Sequence, residues 1–363
     1  MFSKIHDGDR MKIGIDEKIL RYITIFAVIA LAVITTIGCT SAASTSSDTR
    51  TITDMAGTTS TIPVDVNRIG VSYPAMNQVI FMLGGADKIV ATSSTVDTLP
   101  WLIKLYPQIK SIPQSLNTEV NMEELVKDNP DVVIMALSAN TTTSKKIRDL
   151  GMPVVELNVS TPEQLKQAVS IVGDILGPDA KLKAKEFSDY YDSNIKLVSS
   201  KTADLPKDQK PKVLYTANNP LNTEGIGSIV TNWIELGGGV NVAAENGISG
   251  TFKDISMEDV VKWNPDIIVV RDAAQKPKIM EDPQWKEINA VKNGKVYVSP
   301  KDVYAWCVRS ACASLMPVWS AKTFHPELFA DVDMNQVVRD YCKKFYGYDP
   351  SDSEINDILN PTV

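Results

Sequence analysis

Met122 to Ile134 reads MEELVKDNPDVVI, and Met257 to Val269 reads MEDVVKWNPDIIV. Seven of the thirteen positions are identical, so one local design occurs twice in the chain. Asn121 or Ser256 is placed to cap a short helix, with Glu124 or Asp259 at the third helical position to complete a capping box. The Asn-Pro pair stops that helix. Asp131-Val-Val-Ile-Met and Asp266-Ile-Ile-Val-Val then read as short, buried parallel strands.

A second echo precedes each block. Ile69 to Val71 is a short apolar run, followed by Ser72-Tyr-Pro and an apolar helix ending at Leu83-Gly-Gly. Val213 to Thr216 is followed by a polar loop and a helix from Ile229 to Leu236 that ends at Gly237-Gly-Gly. Glycine just past a helix is the usual left-handed terminator. Strands alternating with helices imply a parallel sheet with right-handed crossovers. Two such halves predict an α/β protein of two doubly wound parallel-sheet lobes, with a ligand cleft between them. Between the halves, Thr161-Pro-Glu opens a long amphipathic stretch interrupted at Gly177-Pro178, read as one or two helices joining the lobes. The expected organisation is a signal or anchor segment over 1–38, an attachment cysteine and tether over 39–50, a first lobe over 51–160, a linker helix over 161–200, and a second lobe over 201–363. The segments Cys307–Phe324 and Asn335–Phe345 are read as helices packing on the second lobe.

The first forty residues differ from the rest. Lys12, Lys18 and Arg21 precede the apolar run Tyr22 to Gly38, the pattern of an export signal. Gly38-Cys39 then resembles a lipoprotein processing site, although Thr36 stands where Leu is usual. Two readings stay open, a lipid on Cys39 or an uncleaved anchor helix. Both put the body of the protein outside the cytoplasmic membrane and tethered to it.

Composition excludes several classes. The net charge is -7 with no basic cluster, unlike a nucleic-acid binder. Beyond residue 38 the only histidine is His325, which leaves no zinc-type ligand set and no Ser-His-Asp machinery. Glu224-Gly-Ile-Gly-Ser lacks the lysine that a phosphate loop needs. No enzyme, no cofactor and no bound metal site is expected. Cys307 and Cys312 are about 140° apart on a helix, so Cys307, Cys312 and Cys342 are read as buried thiols.

With the two blocks stand RIGVSYPAMNQVIFMLGGADKIVATSS, TEGIGSIVTNWIELGGGVNVAAE, DPQWKEINAVKNGKVYVSP and HPELF. In this order the chain resembles the periplasmic binding proteins of the iron-siderophore, haem and cobalamin importers, over roughly Thr51 to Tyr348. The resemblance implies two α/β lobes joined by a rigid helix and a monomeric receptor that delivers its ligand to an ABC permease dimer with ATPase subunits. It implies that Glu123 and Glu258, each in the first turn of a capped helix, dock on the permease. By family frequency it implies a metal chelate of the ferric siderophore type as ligand, with a corrinoid such as cobalamin second and haem or an oxyanion such as molybdate as alternatives. A ligand-sensing ectodomain on the same scaffold is the reading from another class. Where the cobalamin-binding relatives carry a Trp six residues before each docking glutamate, this chain has Asn117 and Phe252.

Ligand residues are expected in the loops that follow strands. In the first lobe these are Ser72, Tyr73 and Pro74, then Ser93 to Thr95 with Ser94 central, then Ser138 to Asn140. In the second they are Asn218, Asn219, Thr223 and Glu224, then Arg271 and Asp272, then Tyr304, Trp306 and Arg309. Tyr73, Tyr304 and Trp306 are suited to stacking on a planar ligand, and Arg271 or Arg309 to bidentate contact with an anionic one.

Overall fold

The computed structural model describes residues 48–137 and 141–362. The segment 1–38, Cys39, most of the tether and Asn140 lie outside the described residues. No helix among the described residues is long and apolar enough to cross a membrane.

Residues 48–363 form one compact unit. An antiparallel hairpin of β1 (Thr49–Thr53) and β2 (Thr59–Pro63) opens it. The first sheet contains β3 (Ile69–Val71), β4 (Ile89–Ala91), β5 (Val132–Ala136) and β6 (Val154–Leu157), all parallel, in the order β4-β3-β5-β6. After β7 (Lys212–Thr216), the short strands β8 (Asn222–Thr223) and β10 (Lys253–Asp254) pair with each other. The second sheet uses β7, β9 (Val240–Asn241), β11 (Ile267–Val270) and β12 (Val296–Val298) in the order β12-β11-β7-β9, again parallel. Matching β3 to β7, β4 to β9, β5 to β11 and β6 to β12 makes the two topologies identical. The doubled sequence is a doubled fold.

The Asn-Pro-Asp triplet explains why the echo was retained in both lobes. Helix Met122–Asp128 ends at Asn129 with φ 41°, and helix Met257–Trp263 ends at Asn264 with φ 45°. Asparagine tolerates this left-handed geometry better than other residues with a side chain. The aspartate then pins the neighbouring strand. Asp131 Oδ2 accepts the N–H groups of Asn67 (2.8 Å) and Arg68 (2.9 Å), just before β3. Asp266 Oδ2 accepts the Lys212 N–H at 3.0 Å, at the start of β7. A cation closes each helix end: Arg68 donates to the Asp128 and Asn129 carbonyls, and Lys212 to the Trp263 carbonyl. Register between the two central strands of each sheet is thereby fixed by one side chain.

The linker stretch is two helices, Pro162–Leu176 and Pro178–Thr202, broken at Gly177. They pack closely, since a Cβ on Gly173 would stand 2.8 Å from the Ala184 Cβ. The second helix has 25 residues and spans about 37 Å. Asn194 on it donates to the Ser314 carbonyl, and Thr202 at its end donates to Leu236 of the second lobe.

The C-terminal segments depart from expectation. Helix Met316–Phe324 packs on the second lobe, but Met334–Tyr346 and Asp352–Leu359 return to the first. Tyr346 faces Phe81, Tyr341 donates to Met82 Sδ, Trp101 meets Tyr348 edge-on, and Lys104 pairs with Glu354. The cause is aromatic: Tyr341, Phe345 and Tyr346 need apolar cover, and the linker helix supplies Phe187 and Tyr190 beside the first lobe.

At the junction of the lobes lies a buried polar cluster. Gln78, on the first lobe's helix Ala75–Met82, donates to Cys312 Sγ (2.8 Å) and Tyr346 Oη (2.7 Å) and accepts the Ala311 N–H. Cys312 and Tyr346 both donate to Asp302, which follows β12 in the second lobe. Burial raises the Asp302 carboxyl from 3.8 to about 6, with the Cys312 and Tyr346 bonds opposing. The three described cysteines are free and buried, as the sequence suggested. Because the folded-state value is the higher one, Asp302 favours the fold below about pH 4 and loses that contribution as pH rises through 6. Asp302→Asn should therefore gain on the parent by on the order of 3 kcal/mol between pH 4 and pH 7 in urea unfolding. A pH-independent difference would contradict this.

Candidate functional site

Loops at the carboxyl ends of parallel strands gather where the two sheets face each other, the usual ligand position in such folds. On the first lobe a cavity of about 460 Å³ is lined by Ser72 and Pro74 after β3, Ser93, Ser94 and Thr95 after β4, Met135 on β5, and Asn117. Asn117 Oδ1 accepts both the Ser94 N–H (2.8 Å) and the Ser94 hydroxyl (2.9 Å), which fixes this wall. Exposed Glu119 stands at its rim.

The facing wall is built by the long turn after β12. Arg309 is one-fifth exposed and ion-pairs with Glu224, whose side chain is 1% exposed. The guanidinium lies over the Phe252 ring, 5.3 Å from its centroid. Phe252 holds φ 54°, a strained value for an aromatic residue. The close backbone approach that carries Glu224 requires Gly225, where a Cβ would sit 2.0 Å from the Ile248 carbonyl oxygen. In Glu224-Gly-Ile-Gly-Ser, Gly225 thus serves packing and Gly227 a left-handed backbone at φ 79°.

Electrostatics joins the two walls. Burial pushes the Tyr73 phenol up to about 12, and Arg309 across the cleft pulls it down. Burial also raises Tyr304, with Cys312 and Tyr73 adding to the shift. Glu224 is raised by burial against the pull of Arg309 and Arg271. Several groups here are buried without a hydrogen-bond partner among the described residues: Ser93 Oγ, Tyr304 Oη, Ser310 Oγ and Glu224 Oε1. Orphaned polar atoms cost about 1–3 kcal/mol each, so a cluster at strand ends marks a place built for something polar.

Of the expected residues, Tyr73, Ser94, Tyr304 and Arg309 stand at or beside this cleft. Asn219 is exposed, with its Oδ1 held by the Leu221 N–H. Two of the expected residues are fully buried. Trp306 lies in the core. Thr223 is also fully buried, its hydroxyl given to the Tyr215 carbonyl inside the sheet. Trp306 lies between buried Ala305 and Cys307, and Thr223 lies on β8 between buried Asn222 and Glu224. Phe252, Asn117 and Ser310 were not among the expected ligand residues, whereas Ser93 was. The available signal was positional: Asn117 and Phe252 each sit six residues before an equivalent glutamate, and both reach the cleft.

Glu123 and Glu258 are exposed in the first turns of their helices, with no side-chain hydrogen bond or ion pair among the described residues. Val126 and Val261, one turn on, are exposed as well. His325 Nε2 lies 3.1 Å from the Gly238 carbonyl in a structural contact. No cluster of metal-binding side chains occurs among the described residues.

Residues 70–303 match the periplasmic binding protein family. The chain belongs to that family. It is 31% identical over 332 residues to the molybdate-binding protein MolA of Haemophilus influenzae, covering 82% of this chain and 91% of the relative. The solved structure of MolA bound to molybdate superposes with a TM-score of 0.76 at 30% identity, over 83% of this chain and 99% of that one. A periplasmic solute binding protein from Veillonella parvula gives 0.75 at 28% identity, over 86% and 97%. The Fe(3+)-citrate-binding protein YfmC of Bacillus subtilis is 24% identical over 302 residues, 78% of this chain and 91% of the relative. The protein is thus the solute-binding protein of an ABC importer, an extracytoplasmic receptor and not an enzyme.

Arg309→Met would strand the Glu224 charge in the protein. We expect a stability loss of roughly 3 kcal/mol at pH 8. The loss should shrink toward pH 5 as Glu224 takes a proton, because its folded-state value is already raised. Urea unfolding at the two pH values measures this, and equal losses would contradict it.

Proposed function

We propose that this receptor captures a compact oxyanion of the molybdate class and delivers it to its permease. The observation that carries the reading is the Arg309 guanidinium, one-fifth exposed, stacked over Phe252 and close enough to Tyr73 of the first lobe to act on its phenol. A fork of N–H donors suits an acceptor-only ligand. The kinship with a molybdate-binding protein along most of both chains supports it. The sequence alone favoured a ferric siderophore by family frequency. A small ferric hydroxycarboxylate is the second reading, favoured by the aromatic edges Tyr73 and Tyr304 and by the Fe(3+)-citrate-binding relative.

Glu123 and Glu258 are the docking groups in this reading. One capped acidic turn on each of two equivalent lobes suits a partner that presents one basic surface twice, as a permease dimer does. Attachment through Cys39 or the N-terminal helix would keep the receptor beside that permease.

Calorimetric titration with sodium molybdate, ferric citrate and ferric siderophores separates the ligands. We expect molybdate to bind and siderophores not to. Arg309→Lys, which keeps the charge but loses the fork, should weaken molybdate by roughly tenfold or more. Binding of a siderophore alone would overturn the ligand assignment. For docking, Glu123→Arg with Glu258→Arg should abolish uptake while ligand affinity stays within about twofold, since rim charges act on partner association. Uptake that survives the double reversal would refute the docking role.

A further inference from the structure

We infer that Glu224 is itself a ligand-site residue and that it meets the oxyanion as a neutral carboxylic acid, so that capture takes up one proton. This rests on the oxyanion reading above and adds a specificity-determining group to it.

Glu224 follows β8 directly, and its side chain is 1% exposed. Oε2 is engaged by Arg309. Oε1 is buried and has no hydrogen-bond partner among the described residues. An ionised carboxylate in that position has an acceptor with nothing to accept from, and an oxyanion, which is all acceptors, does not cure this. Protonation does. It converts the orphaned Oε1 from an acceptor into an O–H donor, the one kind of group an oxyanion can use.

Charge points the same way. With Glu224 ionised, the Arg309–Glu224 pair is neutral overall, and a dianion entering beside it meets a carboxylate in a poorly hydrated site. With Glu224 neutral, the full charge of Arg309 is available to the ligand. The groups that face Glu224 are Arg309 from the turn after β12, Arg271 from the end of β11, and the Tyr215 phenol on β7. Both arginines favour the ionised form, and burial opposes them and prevails in the free protein. A bound dianion adds to burial and not to the arginines.

The proton balance is simple. Solvent supplies one H⁺, Glu224 –COO⁻ becomes –COOH, and no other bond is made or broken. Affinity then falls as pH rises, approaching tenfold per pH unit between the free-state and bound-state titration points of Glu224, and is flat outside them.

Calorimetry of the full-length protein with sodium molybdate, from pH 6 to 8.5 in buffers of different ionisation enthalpy, reads proton uptake directly. We expect uptake approaching one proton per anion in the upper part of the range, with affinity declining there. Glu224→Gln should bind without proton uptake, with a flat pH profile and an affinity at pH 8.5 equal to or above that of the parent. Molybdate binding by the parent with no proton uptake at any pH overturns this inference alone, whether or not the variant folds. Retained uptake in Glu224→Gln also overturns it. No binding by the parent at any pH overturns the oxyanion reading, and this inference falls with it.

Discussion

The Gln78 side-chain amide spans the junction between the lobes. It reaches from the first lobe's helix to Cys312 and Tyr346, which in turn hold Asp302 at the end of the second lobe's sheet. Every member of this cluster is fully buried or nearly so. A buried polar network tolerates little change in geometry, because each broken bond leaves an unpaired group without water. The rest of the architecture follows from that constraint. The linker helix sets the distance between the lobes, the C-terminal aromatic segment covers the junction, and the cluster limits how far one lobe can turn against the other. The turn that starts at Asp302 and ends at Cys312 also carries Tyr304 and Arg309, so the same few residues set the junction and the second wall of the cleft.

Much of this fold was legible because a single design is written twice. The Asn-Pro-Asp triplet announces a helix stop and a strand start, and the structure adds its reason: the aspartate pins the neighbouring strand, and a cation closes the helix end. The C-terminal helices were not legible in the same way. Their pattern shows an apolar face at Tyr341, Phe345 and Tyr346, but the partner of that face is Phe187 and Tyr190, some 150 residues earlier in the chain. Periodicity says that a face is buried and is silent about what buries it.

The site was legible in its loops and less so in its side chains. Tyr73, Tyr304 and Arg309 were found because they follow strands. Trp306 also follows a strand, and Thr223 lies on β8, and both are fully buried. Phe252 gave no chemical signal, being one aromatic residue in a loop, and its role depends on a backbone value that only the neighbouring hairpin explains. Glu224 stood in a motif that drew attention for its glycines, while the chemistry lies in the carboxylate before them. A carboxylate beside an arginine reads from sequence as a surface pair. Its place after a strand made it a candidate, and its burial and its orphaned oxygen add the chemistry.

These features converge on one location for the ligand, between the hydroxyl wall of the first lobe and the Arg309–Glu224 pair of the second. Anomalous diffraction at the molybdenum edge, from crystals of the protein grown with molybdate, tests that location most directly. The account predicts a single strong peak within hydrogen-bonding distance of the Arg309 guanidinium, about 3 Å, and facing Ser93 and Tyr73. A peak elsewhere on the molecule, or an Arg309 that still faces only Glu224 in crystals that hold the anion, would contradict it.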